Sequence, residues 1–147
     1  MKKLCKITLL TTAALSLLLL GGCGQKLGEE FTEEVNTLEG VTLTVEETSV
    51  SPVEITYVID NQSEVDLSYG QDYSLQVEKD GKWYRIIPER DVAVTLELLW
   101  APAGSQNSHT VNWQGSYGKL QKGHYRIIKS VADNVQGYYL AGEFQVG

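Results

Sequence analysis

The all-β character of this chain is plainest in residues 73–87, which read YSLQVEKDGKWYRII. Tyr73, Leu75 and Val77 alternate with polar residues, a pattern typical of a strand with one buried face and one face in water. Asp80-Gly81 follows and is the strongest short signal for a β-hairpin. The stretch therefore predicts two antiparallel strands joined at residues 80–81.

The same period of two recurs along most of the chain. It predicts strands at residues 41–45, 53–59, 73–77, 83–87, 92–100, 109–113, 125–131 and 138–146. Leu96, Leu99 and Trp100 also suit a helix, so residues 92–100 have an alternative reading. Eight short runs separated by turn residues, with no long helix, predict an all-β sandwich or barrel.

One local feature favours a particular β architecture. In Leu120-Gln121-Lys122-Gly123-His124-Tyr125, the glycine stands two residues before a tyrosine that opens a strand. Leu120, Gly123 and Tyr125 together indicate the tyrosine corner of Greek-key sandwiches, in which the phenol hydroxyl bonds to the backbone just upstream. Ile127 stands where antibody domains carry a cysteine, which suits a sandwich without an inter-sheet disulfide.

The N-terminus carries a secretory signal. Lys2, Lys3 and Lys6 precede an apolar run over residues 7–20, which is shorter than the roughly 20 residues that cross a bilayer. Leu20-Gly21-Gly22-Cys23 resembles the lipobox of bacterial lipoproteins, and the resemblance implies that Cys23 is diacylated and becomes the mature N-terminus. The alternative is an ordinary signal peptide with a chance cysteine.

These patterns divide the chain into three parts: a signal peptide over residues 1–22, a lipidated N-terminus with an acidic tether over 23–39, and one β-sandwich domain over 40–147. The tether has glycines and four clustered glutamates, and we expect it to be a flexible spacer. Phe31 and Val35 have helical spacing, so a short helix also fits there.

Charge and cysteine content exclude several classes of function. Removing residues 1–22 takes three of the 12 Lys and Arg and none of the 19 Asp and Glu, which leaves a formal charge of −10 on 125 residues. So acidic a body disfavours nucleic acid as a partner. Cys5 leaves with the signal and Cys23 receives the lipid, so we expect no disulfide and no Cys/His zinc site. No cofactor is predicted.

Several stretches in the body resemble a known family. They are residues 61–63 (NQS), 69–75 (YGQDYSL), 81–84 (GKWY), 111–113 (VNW) and 117–127 (YGKLQKGHYRI). Their order resembles a bacterial immunoglobulin-like domain of lipoproteins and other envelope proteins, chiefly of Gram-positive bacteria, and covers residues 41–147. The resemblance implies an immunoglobulin-like Greek-key β-sandwich of about seven to nine strands, without a catalytic role. The outline is also similar, more weakly, to BsuPI-type proteinase inhibitors.

The sequence contains no convincing catalytic constellation. Ser108 and His109 are adjacent, so on a strand they face opposite sides, and no Gly-x-Ser-x-Gly turn is present. Oxygen-rich residues 60–66 lack the spacing of a calcium loop. We therefore predict that the protein is not an enzyme and holds no metal.

Two surface features are candidates for binding. The first is a basic stretch, Lys119, Lys122, His124, Arg126 and Lys129, which could meet an anionic polymer or lipid head groups; the alternative is an ordinary charged rim. The second is an aromatic set, Tyr69, Trp113, Tyr117, Tyr138 and Tyr139, most of which should be core. From these sets we take Lys119, Lys122, Arg126 and Tyr139 as the candidate binding surface, and residues 101–108 with 134–137 as the candidate loop end.

Together these observations predict a monomeric lipoprotein at the cell membrane, facing the extracytoplasmic side. Its domain would serve as a non-catalytic binding or scaffolding module for an envelope protein or polymer. The alternative is an inhibitor of an extracellular protease, for which the loop around Pro102 is the only plausible source of a rigid, exposed segment.

Overall fold

The structure is a computed structural model, and it describes residues 24–147. These residues form ten strands: β1 (Leu27–Glu30), β2 (Val41–Val45), β3 (Glu54–Asn61), β4 (Leu67–Tyr69), β5 (Ser74–Lys79), β6 (Lys82–Ile86), β7 (Leu99–Ala101), β8 (Ser105–Asn112), β9 (Gly123–Ala132) and β10 (Gly137–Val146). A 3₁₀ turn covers Glu47–Ser49. Within this range no helix has the length and apolarity needed to cross a membrane.

The strands build two antiparallel sheets. The larger has the order β1-β6-β5-β9-β4-β7, with β10 on the other edge of β9, and the smaller has the order β2-β3-β8. β9 is the central strand, since β10 pairs with its full length on one side while β5 and β4 share the other. The predicted all-β sandwich of two sheets is confirmed.

The hairpin between β5 and β6 forms at the predicted place. Asp80 and Gly81 both have positive φ, at 53° and 77°, and Lys79 pairs with Lys82 across the turn. Two consecutive positive φ angles are the mark of a type I′ turn, whose twist matches that of the flanking strands. Leu75 and Val77 face the core, as the alternation predicts.

One apolar core lies between the sheets. Ile55 and Ile59 of β3, Ile127 of β9 and Leu140 of β10 are fully buried there. Trp113, also fully buried, donates from Nε1 to the carbonyl of Pro52 at 3.0 Å. Burying each large apolar side chain contributes about 1.5–3 kcal/mol, so this layer is the main source of stability.

The segment that we expected to be a free tether is docked on the domain from Leu27 onward. Residues 27–30 pair with β6, the ring of Phe31 is buried, and both amide atoms of Asn36 bond to the backbone of Ala141. No helix forms around Phe31 and Val35. The open edge of β6 offers backbone partners to residues 27–30, and Phe31 gains burial by staying extended beside them. The ordered body therefore begins well before residue 40.

The predicted strand over residues 92–100 is mostly absent. Only Leu99–Ala101 is a strand, residues 91–98 follow an irregular path, and the helical alternative is not adopted either. The partner strand β4 is three residues long, so the upstream residues have no ladder to join. Leu96 and Leu98 are consequently exposed despite their alternating pattern.

Candidate functional site

A cavity of about 530 Å³ opens between the two sheets beside β8. Tyr57 of β3 and His109 of β8 line it from the smaller sheet, and Leu99 of β7 and Tyr73, just before β5, line it from the other side. The irregular segment 91–98 passes over its mouth with Asp91, Val92, Ala93 and Val94 in the lining. Part of the segment that was expected to be a strand therefore forms a wall of the cavity.

Tyr57 supplies a hydroxyl to the cavity wall. Its side chain is only 5% exposed, and its ring lies 5.4 Å from the His109 ring. The hydroxyl makes no hydrogen bond with any residue of the described range 24–147. Burial, reinforced by neighbouring Tyr69, raises the pKa of Tyr57, so the group stays a neutral donor and acceptor.

His109 is held in place by Tyr69. The hydroxyl of Tyr69 and Nε2 of His109 lie 2.7 Å apart, and the two rings meet edge to face. Burial lowers the pKa of His109, and the charge of Lys129 lowers it further. The imidazole is therefore neutral at pH 7.

Lys129 lies behind this pair, in the core. Its side chain is 1% exposed, and Nζ donates to the carbonyls of Gly70 and Asp72, both at 2.6 Å. Nζ also lies 5.6 Å from the centre of the Tyr69 ring. Burial lowers the pKa of Lys129 to about 8, which leaves it largely charged at pH 7. By donating to both carbonyls, the ammonium holds the loop over residues 70–72 in place.

These groups do not make a nucleophile and base. His109 Nε2 faces a phenol, and Ser108 alternates to the other side of β8. Residues 24–147 contain no cluster of three His, Cys, Asp or Glu side chains that could hold a metal ion. The arrangement is suited to holding a ligand by ring contacts and hydrogen bonds.

The candidate surface predicted from the basic stretch is not brought together. Arg126 is buried: its Nε donates to Oε1 of Gln76 at 2.8 Å, and its guanidinium carbon lies 4.3 Å from the centre of the Trp83 ring. Arg126 does face outward from β9, but Phe31 covers that face of the sheet. Lys119 and Lys122 are exposed in the loop before β9.

Most other members of the basic stretch and of the aromatic set already pack against neighbouring side chains or are buried. His124 is half-buried between Glu78 and the Trp83 ring, and Lys129 is in the core. Tyr139 packs edge-on against Phe31, with ring centres 5.4 Å apart. Tyr69, Trp113 and Tyr117 are buried, as expected, whereas Tyr138 and Tyr139 are both half-buried.

The tyrosine corner has the hydrogen bond that it requires. Tyr125 is 1% exposed and its hydroxyl donates to the carbonyl of Gln121 at 2.6 Å. Leu120 is buried in the core just upstream. Gln25 also contacts the Tyr125 hydroxyl, at 3.2 Å, so the corner adjoins the start of the described chain.

The two predicted contact loops share one end of the sandwich. Ser68 of β4 pairs with both Ala132 and Trp100, which places the turns 102–104 and 133–136 side by side. The buried amide of Asn61 fixes this end by donating to the carbonyls of Val65 and Ala101, each at 2.8 Å. Val135 is 89% exposed there. Lys122 lies beyond the opposite end of β9.

Sequence reasoning missed the cavity and its central residues. The alternation around Tyr57 predicts only a strand residue, and nothing local distinguishes its unpaired hydroxyl. Lys129 carried a signal that could have been used, because its spacing from Tyr125, Ile127 and Val131 puts it on the inward face of β9. Cys23 lies outside the described residues, so its predicted lipidation remains a prediction.

Comparison with known proteins agrees with this geometry. A family model described as a bacterial Ig-like domain matches residues 37–145. The curated proteins gave no match. A crystal structure of a protein from Archaeoglobus fulgidus matches 76% of this chain and 98% of its own, at 14% identity and a TM-score of 0.25, a likeness that adds nothing to the assignment. The extent of the family match shows that the chain belongs to the bacterial Ig-like domain family.

Proposed function

We propose that the protein is a lipid-anchored binding module of the cell envelope, held on the outer side of the membrane by Cys23, and that it is not an enzyme. The Ig-like fold supports a binding role, since such domains present ligand sites and loops on a rigid sandwich. The signal pattern over residues 1–23 supports the anchor. The cavity beside β8 is the observation that carries the binding role.

Fractionation of cells that express the full chain tests the anchor. Cys23→Ser should abolish fatty-acid labelling. It should also lower the share of the protein in the detergent-extracted membrane fraction, because two acyl chains provide the stable attachment. Cys5→Ser is the matched control, since it changes the other cysteine of the leader and should leave labelling intact. Labelling that persists in Cys23→Ser would contradict the proposal.

Inhibition of an extracellular protease is the second candidate. The turn 102–104 is exposed and rigid: Ala103 N donates to Oδ1 of Asp66 at 2.9 Å, and Gly104 N donates to the Asn61 carbonyl at 2.7 Å. A rigid exposed turn is what this function requires. Assays of a panel of secreted proteases distinguish the inhibitor from the binding module. An inhibitor would lower the activity of at least one protease, whereas a binding module would leave every protease at full activity.

A further inference from the structure

We propose that the cavity beside β8 binds a neutral, hydroxyl-rich ligand the size of one or two sugar rings. This inference rests on the proposed function and specifies its ligand. The space, about 530 Å³, lies within the range of roughly 300–1,000 Å³ that small-molecule sites occupy. Its walls come from β3 and β8 on one side and from the irregular segment 91–94 and neighbouring loops on the other.

The aromatic content of the wall is the first argument. Tyr57, Tyr73 and His109 all line the cavity, and Tyr73 also packs against Tyr117 with ring centres 6.1 Å apart. Rings held by neighbouring rings lose little conformational entropy when a ligand binds. Flat apolar faces with polar edges suit the C–H faces of a sugar ring, which are apolar while its rim carries hydroxyls.

The hydroxyl of Tyr57 is the second argument. Tyr57 lines the cavity, and its hydroxyl has no hydrogen-bond partner within residues 24–147 although it is not among their sealed, unpaired polar atoms, so it is open to the cavity space. The hydroxyl would gain a partner if a ligand hydroxyl entered the cavity. Gln71 and Ser116 add further polar groups to the lining.

Charge decides among the ligand classes. Asp91 lines the cavity, and Glu97 accepts from Gln71 at its edge, so a carboxylate or phosphate ligand would meet like charges. The Lys129 ammonium cannot compensate, since two carbonyls hold it in the core. An anionic ligand is therefore disfavoured, and the hydroxyl groups of a neutral ligand supply the hydrogen bonds.

Calorimetric titration of the purified protein tests the proposal. The probes are glucose, galactose, N-acetylglucosamine, maltose and cellobiose, with glucuronate as the anionic counterpart. We expect at least one neutral sugar to bind and glucuronate to bind more weakly. Tyr57→Phe should weaken that binding by roughly 3- to 10-fold, since one ligand hydrogen bond is lost, while its unfolding midpoint stays equal or rises.

Tyr125→Phe is the matched control, because it makes the same chemical change at a hydroxyl that has a partner. It should lower the unfolding midpoint and leave sugar affinity unchanged. Three results would each overturn the proposal: no neutral sugar binds, Tyr57→Phe binds as tightly as the parent, or glucuronate binds as well as glucose. None of these affects the fractionation of Cys23→Ser, so a failed ligand assignment is distinguishable from a failed anchor.

Discussion

Lys129 shows how one residue can contradict the pattern of its strand. It occupies an inward position of β9, between Ile127 and Val131, yet carries a charge. On folding, its ammonium replaces hydrogen bonds to water with hydrogen bonds to the carbonyls of Gly70 and Asp72. Burial of a charge is only partly offset by such bonds, which is why the pKa of Lys129 falls to about 8.

Replacing Lys129 should change how stability depends on pH. Between about pH 8 and the normal lysine pKa near 10.4, the unfolded chain holds this proton while the folded chain has released it, so the folded state gains stability as pH rises. We expect that gain in the parent and its absence in Lys129→Met. Denaturant unfolding at pH 7, 8, 9 and 10 measures it.

The difference in unfolding free energy between the parent and Lys129→Met reports on Lys129 alone, because the tyrosines titrate in both proteins. Burial raises the pKa of Tyr57 and Tyr69, so these groups lower stability only as the unfolded tyrosines ionise near pH 10. Parallel pH curves for parent and Lys129→Met would contradict the assignment of a lowered pKa to Lys129.

At the scale of the element, β1 depends on the residue that follows it. β1 has four residues on the edge of the sheet. The salt bridge between Glu30 Oε2 and Lys82 Nζ, at 3.6 Å, is exposed and therefore contributes little stability. Phe31 contributes more, because its ring lies 5.2 Å from the Arg85 guanidinium and 5.6 Å from that of Arg126. The strand therefore stays in register chiefly through this buried ring.

Phe31→Ala should release β1 without unfolding the sandwich. We expect amide exchange over residues 27–31 to accelerate by at least 10-fold and the free energy of unfolding to fall by about 2–4 kcal/mol, since an aromatic ring is lost from a buried site. Leu27→Ala is the control: its side chain is 38% exposed, so its effect should be small. Unchanged exchange in Phe31→Ala would show that backbone pairing alone holds the strand.

At the scale of the whole molecule, β10 and β2 close one side of the sandwich. A Cβ at Gly142 would clash with the Leu43 side chain and come within 3.2 Å of the Leu43 carbonyl. The absence of a side chain at this position therefore allows the two sheets to approach. The other side, beside β8, stays open as the cavity.

Gly142→Ala should accordingly destabilise the entire domain. We expect a loss of about 1–3 kcal/mol in urea unfolding, from overpacking between the sheets. Gly115→Ala is the control, since a Cβ there meets nothing within 4 Å and the backbone has an ordinary φ. Equal stability of Gly142→Ala and the parent would mean that β2 can move away at no cost.

How far the sequence predicts this molecule depends on the range of the interactions involved. The turn at Asp80-Gly81 and the long strands around Ile127 and Leu140 follow from local patterns, and so does the corner at Tyr125. The fate of residues 92–98 does not, because it is set by the shortness of a distant partner strand. The docking of Phe31 and the unpaired hydroxyl of Tyr57 likewise depend on neighbours that the local pattern does not specify.

The docking of β1 has a consequence for the proposed membrane anchor. Cys23 precedes Leu27 by four residues, so an acylated cysteine would keep the first paired residue within about 14 Å of the bilayer, even with the intervening chain fully stretched. A 16-residue leash would have let the domain sample a hemisphere some 20–25 Å in radius. An anchored domain docked in this way could not search its surroundings, and any ligand would have to diffuse to the membrane surface to meet it.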